Sequence, residues 1–254
     1  MQKFFVESNQ IDIDNKLVFI KNEDVNHIKN VLRCVIGEHI EVCEKSANLH
    51  KYVVEITEMT NNMITGKIME QIQNSNEPNT KIHIFQGLPK AEKMELIIQK
   101  CTELGVCSFT PVEMHRCVVK VSGKDEDKKI SRWQKIAEVA AKQSGRDIIP
   151  NVERKISIKQ LLDKCNEFDI VLVAYENEDN MFLKSELKQL NKIENKLNIA
   201  IVIGPEGGIT AEEIELMKNA NAKIVSLGNR ILRTETVAMV MSGIIFYELG
   251  EMGG

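Results

Sequence analysis

Hydrophobic positions change their spacing part-way along the chain, and the change predicts two kinds of structure. Up to residue 72, short apolar runs are separated by polar turns, which is typical of β-strands. The predicted strands are 3–6, 16–20, 39–44, 52–58 and 64–69. A short helix beginning near Asn22 interrupts them, with Val25, Ile28, Val31 and Leu32 on one side. This pattern favours a small, strongly curved sheet or barrel.

Beyond a polar linker at residues 73–80, apolar runs alternate with longer segments of helical periodicity. The predicted strands are 81–87, 107–114, 169–176, 198–204 and 222–228. The predicted helices are 90–105, 130–145 and 236–250. Such alternation predicts a parallel α/β sheet. The last helix is apolar nearly all round, so it must be covered on more than one side, and a subunit interface is one way to cover it.

Composition narrows the class of protein. The chain has 254 residues with 43% hydrophobic content, enough to fill a sizeable core. No apolar stretch approaches the length of a membrane span, and the N-terminus does not resemble a signal peptide, so we expect a cytoplasmic protein. Its six cysteines form no CxxC pair, and we expect buried thiols and no metal site.

Charge is distributed unevenly between the two parts. Residues 116–159 carry 12 Lys/Arg against 6 Asp/Glu, whereas residues 1–72 carry 8 against 11. The basic excess is consistent with a face that meets phosphates, and equally with a solvated helix surface.

Two polar loops follow predicted strands. The loop GPEGG, residues 204–208, comes before a capping box formed by Thr210 and Glu213. Its glycines permit close backbone approach, which fits a structural turn as well as a ligand site. The next loop, 226–236, holds Arg230, Arg233 and Glu235, an unusual cluster unless it only begins a helix. Because the carboxyl ends of parallel strands share one edge, these loops and residues 174–176 predict a pocket.

The two loops closely resemble known motifs. IGPEGG (203–208) and SLGNRILRTETVA (226–238) resemble the C-terminal motifs of the SPOUT superfamily of S-adenosylmethionine-dependent RNA methyltransferases. Segments 27–42, 90–106, 116–120, 132–150 and 171–176 are similar to the RsmE family within it. Val237 stands where that family usually has alanine, and Cys117 where serine is common; both are near in size.

The resemblance implies the fold and the activity. It implies a PUA-like β-barrel that binds RNA over residues 1–72 and, over 81–254, an α/β methyltransferase domain with a parallel sheet and a deep trefoil knot. Periodicity alone argues against the knot, because knotted chains are rare. The implied protein is a homodimer that uses S-adenosylmethionine to methylate N3 of one uridine in 16S ribosomal RNA, with no metal, membrane or DNA partner.

The resemblance also assigns candidate residues. Those for the cofactor are Ala174, Tyr175, Glu176, Ile203, Gly204, Pro205, Gly207, Gly208, Leu227, Gly228, Ile231 and Leu232. Basic side chains in the matching segments are the candidates for RNA: Arg33, Lys90, Lys93, Arg116, Lys120, Arg132, Lys142 and Arg146. Arg33 could equally form a surface ion pair.

The catalytic candidates follow from the chemistry. Uridine N3 carries a proton, so transfer needs a base or a partner for the charge that develops on the uracil oxygens. Arg233 suits the second role. Glu206 and Glu235 could each act as the base or as a hydrogen-bond acceptor that braces a loop. The alternative functions are methylation of another RNA, such as a tRNA ribose 2′-hydroxyl, and a non-catalytic ribosome-assembly factor.

Overall fold

The chain forms two compact units in the computed structural model, which describes residues 1–45, 50–90, 92–121, 123–178, 181–190 and 196–253. Unit 1 comprises Met1–Glu77 and Ala141–Ile149; unit 2 comprises Pro78–Ala140 and Pro150–Gly254. The predicted N-terminal domain ends at residue 72 and lacks residues 141–149.

Unit 1 is built on a six-stranded sheet. Its strands are β1 (Lys3–Val6), β2 (Ile11–Asp12), β3 (Leu17–Lys21), β4 (His39–Glu44), β5 (Lys51–Met59) and β6 (Met63–Ile72). They lie in the order β1-β4-β5-β6-β3-β2, antiparallel apart from the β1–β4 pair. The five predicted strands are present within three residues of their predicted ends, whereas the two-residue β2 gave no periodic signal.

The predicted short helix is α1 (Glu23–Asn26), which continues as a single π-helical turn over His27–Val31. Val25 and Ile28 are buried in the core of unit 1, as predicted. The prediction for Val31 was wrong, since it is 62% exposed. The π turn widens the helix and alters which side chains face the core; Leu32, one residue later, still packs partly buried against it.

Residues 141–149 are held in unit 1 by buried ion pairs. The Asp147 carboxylate pairs with Lys3 and with Lys51, whose Nζ is 3.0 Å from Asp147 Oδ2. Asp147 also accepts a hydrogen bond from the Asn76 amide. Desolvation opposes ionisation of Asp147, but these donors outweigh it and hold its pKa below the usual value. The carboxylate is therefore charged and fully partnered inside the unit.

Unit 2 contains a parallel sheet. Its described strands are β7 (Lys81–Gly87), β8 (Ser108–Glu113), β9 (Asn151–Val152), β10 (Ile156–Ser157), β11 (Ile170–Ala174), β12 (Asn198–Ile203) and β13 (Lys223–Val225). The order is β10-β8-β7-β12-β11-β13, with β9 also paired to β8, and every pairing is parallel. The expected α/β parallel sheet is confirmed. Its central strands are apolar because both faces are covered.

Six helices accompany this sheet in the described residues. They are α2 (Lys93–Leu104), α3 (Lys124–Ser144), α4 (Ile158–Lys164), α5 (Leu183–Leu190), α6 (Ala211–Asn219) and α7 (Thr234–Glu248). α2 ends at Gly105, whose φ of +112° supplies the predicted left-handed stop. α7 packs on α2, α5 and β12. None of the helices in the described ranges is long and apolar enough to cross a membrane.

The strand order brings distant loops together. β12 lies between β7 and β11, and β13 lies on the outer side of β11. The chain leaves β13 at the sheet edge, yet α7 packs on α2 and on the central β12. The connection 226–233 therefore returns across the carboxyl end of β11, next to the loops that follow β11 and β12.

Candidate active site

A cavity of about 650 Å³ opens at the carboxyl ends of β11, β12 and β13. Its wall consists of the three loops that sequence reasoning expected to meet. Every predicted cofactor residue except Gly207 lines it. Its volume falls within the range usual for small-molecule sites.

The glycine loop has a backbone that side chains would disturb. Gly208 has a φ of +73°, and its amide donates to the Pro205 carbonyl, which closes a tight turn. A Cβ on Gly208 would stand 2.7 Å from Glu176 Oε1, a side chain in the cavity wall. A Cβ on Gly207 would stand 3.0 Å from Arg116 Cβ. Neighbouring side chains therefore leave no room for a side chain at Gly207 or Gly208, and the loop presents backbone there.

A buried threonine ties the glycine loop to the start of α7. The Thr234 hydroxyl donates to the Gly204 carbonyl at 2.7 Å and accepts from Gln86 Nε2 at 2.8 Å. Gln86 ends the apolar strand β7, and Gln86 and Thr234 are both buried. The ends of β7 and β12 and the start of α7 are therefore fixed relative to one another at the floor of the cavity.

Glu206 is a bracing residue. Its Oε1 accepts a 2.9 Å hydrogen bond from the Lys90 amide and lies 3.0 Å from Lys93 Nζ. Partial burial pushes the pKa of Glu206 upward, but these two donors outweigh it and hold the pKa below its usual value. A carboxylate with a lowered pKa is a poorer proton acceptor. Of the two roles left open by the sequence, the geometry favours bracing.

Glu235 lies behind the cavity wall, in the first turn of α7. Its Oε2 is shielded from solvent and accepts no well-formed hydrogen bond within the described part of the chain. Lys93 Nζ, 3.4 Å away, is a charge contact. Glu235 reaches the cavity only through Lys93, which lines it, and this also favours a bracing role.

Arg233 differs from most of the basic residues. It lines the cavity, it is exposed, and it precedes α7 in an extended conformation as the N-cap. No acceptor contacts its guanidinium among the described residues. Its five donors are therefore available to a ligand in the cavity.

Comparisons with known proteins agree with this geometry. A family model described as RNA methyltransferase domain matches residues 75–246. The ribosomal RNA small subunit methyltransferase E of Bacillus subtilis is 36% identical, with 100% of this chain and 99% of the relative covered. The chain belongs to this methyltransferase family. The family that the sequence motifs predicted is thereby confirmed.

Solved structures of two similar proteins carry S-adenosylmethionine. A ribosomal RNA small subunit methyltransferase E from Neisseria gonorrhoeae, bound to it, matches with a TM-score of 0.82 at 27% identity, covering 97% of each chain. A methyltransferase from Legionella pneumophila, in complex with the same cofactor, matches with a TM-score of 0.83 at 26% identity, covering 96% of each chain. Both likenesses extend over nearly the whole of this family member.

The residues predicted to bind RNA fall into distinct groups in the structure. Arg146 must be withdrawn, because it is 5% exposed and pairs with Glu77. Lys142 is partly buried and pairs with Asp24. Arg132, which pairs with Glu95, and Lys90 and Lys120 are among the exposed candidates.

The remaining RNA candidates lie in different surroundings. Arg116 is exposed and donates to the Gly207 carbonyl at 2.9 Å, so it supports the glycine loop. Lys93 lies in the cavity wall. Arg33, in unit 1, has a φ of +58° and is exposed; its predicted RNA contact stays a prediction.

Several cavity residues escaped sequence reasoning. Glu178, Phe182, Ser226, Asn229 and Val237 also line it. Phe182 belongs to a segment just before α5, a helix that was not predicted. Gln86 gave a usable signal, since a lone amide at the end of a buried apolar strand is expected to find specific hydrogen-bond partners.

Proposed function

We propose that this protein transfers a methyl group from S-adenosylmethionine to N3 of a uridine in the RNA of the small ribosomal subunit, in the cytoplasm. The observation that carries the proposal is the glycine-walled cavity at the carboxyl ends of β11, β12 and β13, with a free arginine at its edge. Membership of the ribosomal RNA small subunit methyltransferase E family supports the substrate.

The cavity residues suit this cofactor. S-adenosylmethionine supplies a methyl group on a positively charged sulfur. Gly204 and Gly208 bring backbone rather than side chains to the wall, and Leu227, Ile231 and Leu232 offer apolar cover for an adenine. The wall also carries carboxylates, including Glu176, which favour a cationic ligand. The chain therefore binds and orients the methyl donor, so that alignment lowers the barrier.

Arg233 stabilises the uracil as its N3 proton leaves. Loss of that proton places negative charge on the carbonyl oxygens beside N3. A guanidinium with free donors can bind such oxygens, and the interaction strengthens as the charge develops. The proton passes to solvent, because neither Glu206 nor Glu235 is placed as a base. The N3 lone pair would then attack the methyl carbon while the bond from that carbon to sulfur breaks, and S-adenosylhomocysteine would leave as the neutral thioether.

The proposal includes a trefoil knot in unit 2. The connection 226–233 leaves β13 at the sheet edge and returns to the centre, where α7 packs on α2 and β12. A knot would require this return to pass beneath the segment that follows β11. Its benefit is local, because it places Arg233 and the cavity loops side by side.

Unit 1 is proposed as a PUA-like barrel that binds RNA. Strand β5 supports this, because register shifts interrupt its pairing with β6, and bulges of this kind curve a sheet. RNA contacts are proposed for Arg33 on this unit and for Lys90, Arg116, Lys120 and Arg132 on unit 2. No DNA or membrane partner is proposed.

The proposal also includes a homodimer. α7 buries one face against its own unit, but Ile244 and Tyr247 remain 39% and 65% exposed. An apolar helix face of this kind suits an interface with a second copy. Light scattering should give twice the mass of one chain. Tyr247→Glu should reduce the measured mass to that of a single chain.

Cofactor binding tests the proposed cavity. Calorimetry with S-adenosylmethionine should show binding by the intact protein, and Gly208→Ala should weaken it roughly tenfold or more, since its Cβ strains a left-handed residue and displaces Glu176. Gly250→Ala is the matched control, because Gly250 has a φ of +72° with nothing near its Cβ. Absence of binding by the unmodified protein would instead favour a non-catalytic assembly factor.

A further inference from the structure

Lys93 stands where three segments of the chain meet. It is the first residue of α2. Its Nζ lies 3.0 Å from Glu206 Oε1 in the glycine loop and 3.4 Å from Glu235 Oε2 in α7. One ammonium group therefore bridges the glycine loop and the first turn of α7.

The three charges depend on one another. Both carboxylates lie close to the same ammonium, so they also lie close to each other and repel. Glu206 has a second donor in the Lys90 amide, whereas the shielded Oε2 of Glu235 has Lys93 as its charge partner among the described residues. The hydrogen bond to Glu206, aided by Glu235, raises the pKa of Lys93 and keeps it cationic. Removal of this cation would leave two uncompensated carboxylates between the loops.

We propose that Lys93 is a positioning residue for methyl transfer: its ammonium holds the glycine loop against the start of α7 and so keeps Arg233, two residues before Glu235, at the cavity. This inference rests on the proposed function. It replaces the prediction that Lys93 contacts RNA phosphates, because an ammonium shared by two carboxylates is already neutralised locally and attracts a phosphate weakly.

The two roles give different kinetics. A phosphate contact acts on RNA affinity and on its salt dependence, and leaves kcat intact. A positioning residue acts on kcat and on cofactor affinity, and leaves KM for the ribosomal subunit nearly unchanged. The intact protein can therefore distinguish them in one set of variants.

The decisive experiment is a double-mutant cycle between Lys93→Met and Glu235→Gln. Lys93→Met keeps the aliphatic stem and should lower kcat roughly tenfold or more, with weaker S-adenosylmethionine binding in calorimetry. In that background Glu235→Gln should restore part of the loss, because one of the two repelling charges is gone. In the unmodified protein the same substitution should reduce kcat. Lys93→Arg should retain most of the activity, since a guanidinium can still bridge both carboxylates.

The control is Lys100→Met. Lys100 lies on the same helix, pairs with Glu103 at 2.8 Å, and does not line the cavity; its loss should leave both constants unchanged. Additive losses in the cycle, or a raised subunit KM with normal kcat, would overturn the proposal. Failure of the unmodified protein to bind S-adenosylmethionine would instead reject the proposed function. If Lys93→Met did not fold, Lys93→Gln, which also removes the charge, with and without Glu235→Gln would measure the same coupling.

Discussion

Arg233 and Glu206 both stand in the cavity wall, but in opposite chemical situations. Glu206 is held by the Lys90 amide and by Lys93, so its charge is committed to the loop. Arg233 has no partner among the described residues and faces the cavity. Its guanidinium is therefore free to respond to charge developing on a substrate.

Substitution of Arg233 tests this assignment. Arg233→Ala should lower kcat by roughly 100- to 1,000-fold, the range for loss of one group that stabilises developing charge. S-adenosylmethionine affinity should change only a few-fold. Arg154→Ala is the control, because Arg154 is an exposed residue paired with Asp127. Normal methylation by Arg233→Ala would show that the charge is stabilised elsewhere.

Single residues also show what the sequence could not decide. Arg233 and Glu206 were identified from their place in sequence motifs. The partners of Glu206 could not be identified from the sequence. Lys90 is 116 residues away along the chain, and periodicity carries no information about such pairs. For the same reason Arg146 was predicted to bind RNA from its charge and its place in a matching segment, although it is buried against its partner Glu77.

Local sequence determines some elements better than others. The start of α6 was predictable, since Thr210 and Glu213 form the capping box that their spacing indicates. α3 begins at Lys124, earlier than predicted. The acidic side chains of its first turn interact favourably with the helix dipole, but they add no hydrophobic position to the pattern from which the helix was predicted. The short β9, β10 and α4 were missed because elements of so few residues do not show a recognisable hydrophobic periodicity. The path of the connection 226–233 depends on the strand order, which no local pattern contains.

Thr234 tests how that connection is fixed. Thr234→Val keeps the shape of the side chain but removes the hydroxyl that links the Gly204 carbonyl to Gln86 Nε2. Those two groups keep their direct 3.3 Å hydrogen bond, and Gln86 Nε2 keeps its bond to the Gly87 carbonyl. The free energy of unfolding, measured in urea, should fall by about 1–3 kcal/mol. Thr236 is partly exposed and lies two residues further along the chain. Thr236→Val should change the free energy of unfolding by less than about 0.5 kcal/mol. Equal effects at both positions would contradict the account.

At the scale of the whole chain, unit 1 is completed by a segment that follows much of unit 2 in sequence. Residues 141–149 join it through the buried carboxylate of Asp147, which meets Lys3 and Lys51. Neither composition nor periodicity marks this segment, so the predicted boundary at residue 72 omitted it. The core strands of unit 1, by contrast, could be read from alternation, because one face of each is buried.

The buried carboxylate predicts an acid-sensitive stability. Asp147→Ala should lower the free energy of unfolding by about 3–5 kcal/mol, because two buried ammonium groups lose their counter-charge. Asp127→Ala, which breaks an exposed pair with Arg154, should cost less than about 1 kcal/mol. Since the folded pKa of Asp147 is lowered, its contribution is present above the unfolded pKa of about 3.9 and is lost as pH falls through the folded value. Urea titrations of both variants at neutral and acid pH would measure this; a difference that did not shrink on acidification would contradict it.

The most direct test of the central claim is the chemical identity of the product. Small ribosomal subunits from a strain lacking the enzyme would be incubated with the protein and S-adenosylmethionine, and the RNA digested to nucleosides for mass spectrometry. We expect one new 3-methyluridine per 16S RNA with the unmodified protein, and none with Arg233→Ala. A ribose-methylated nucleoside, or no methylated product from a protein that binds the cofactor, would contradict it.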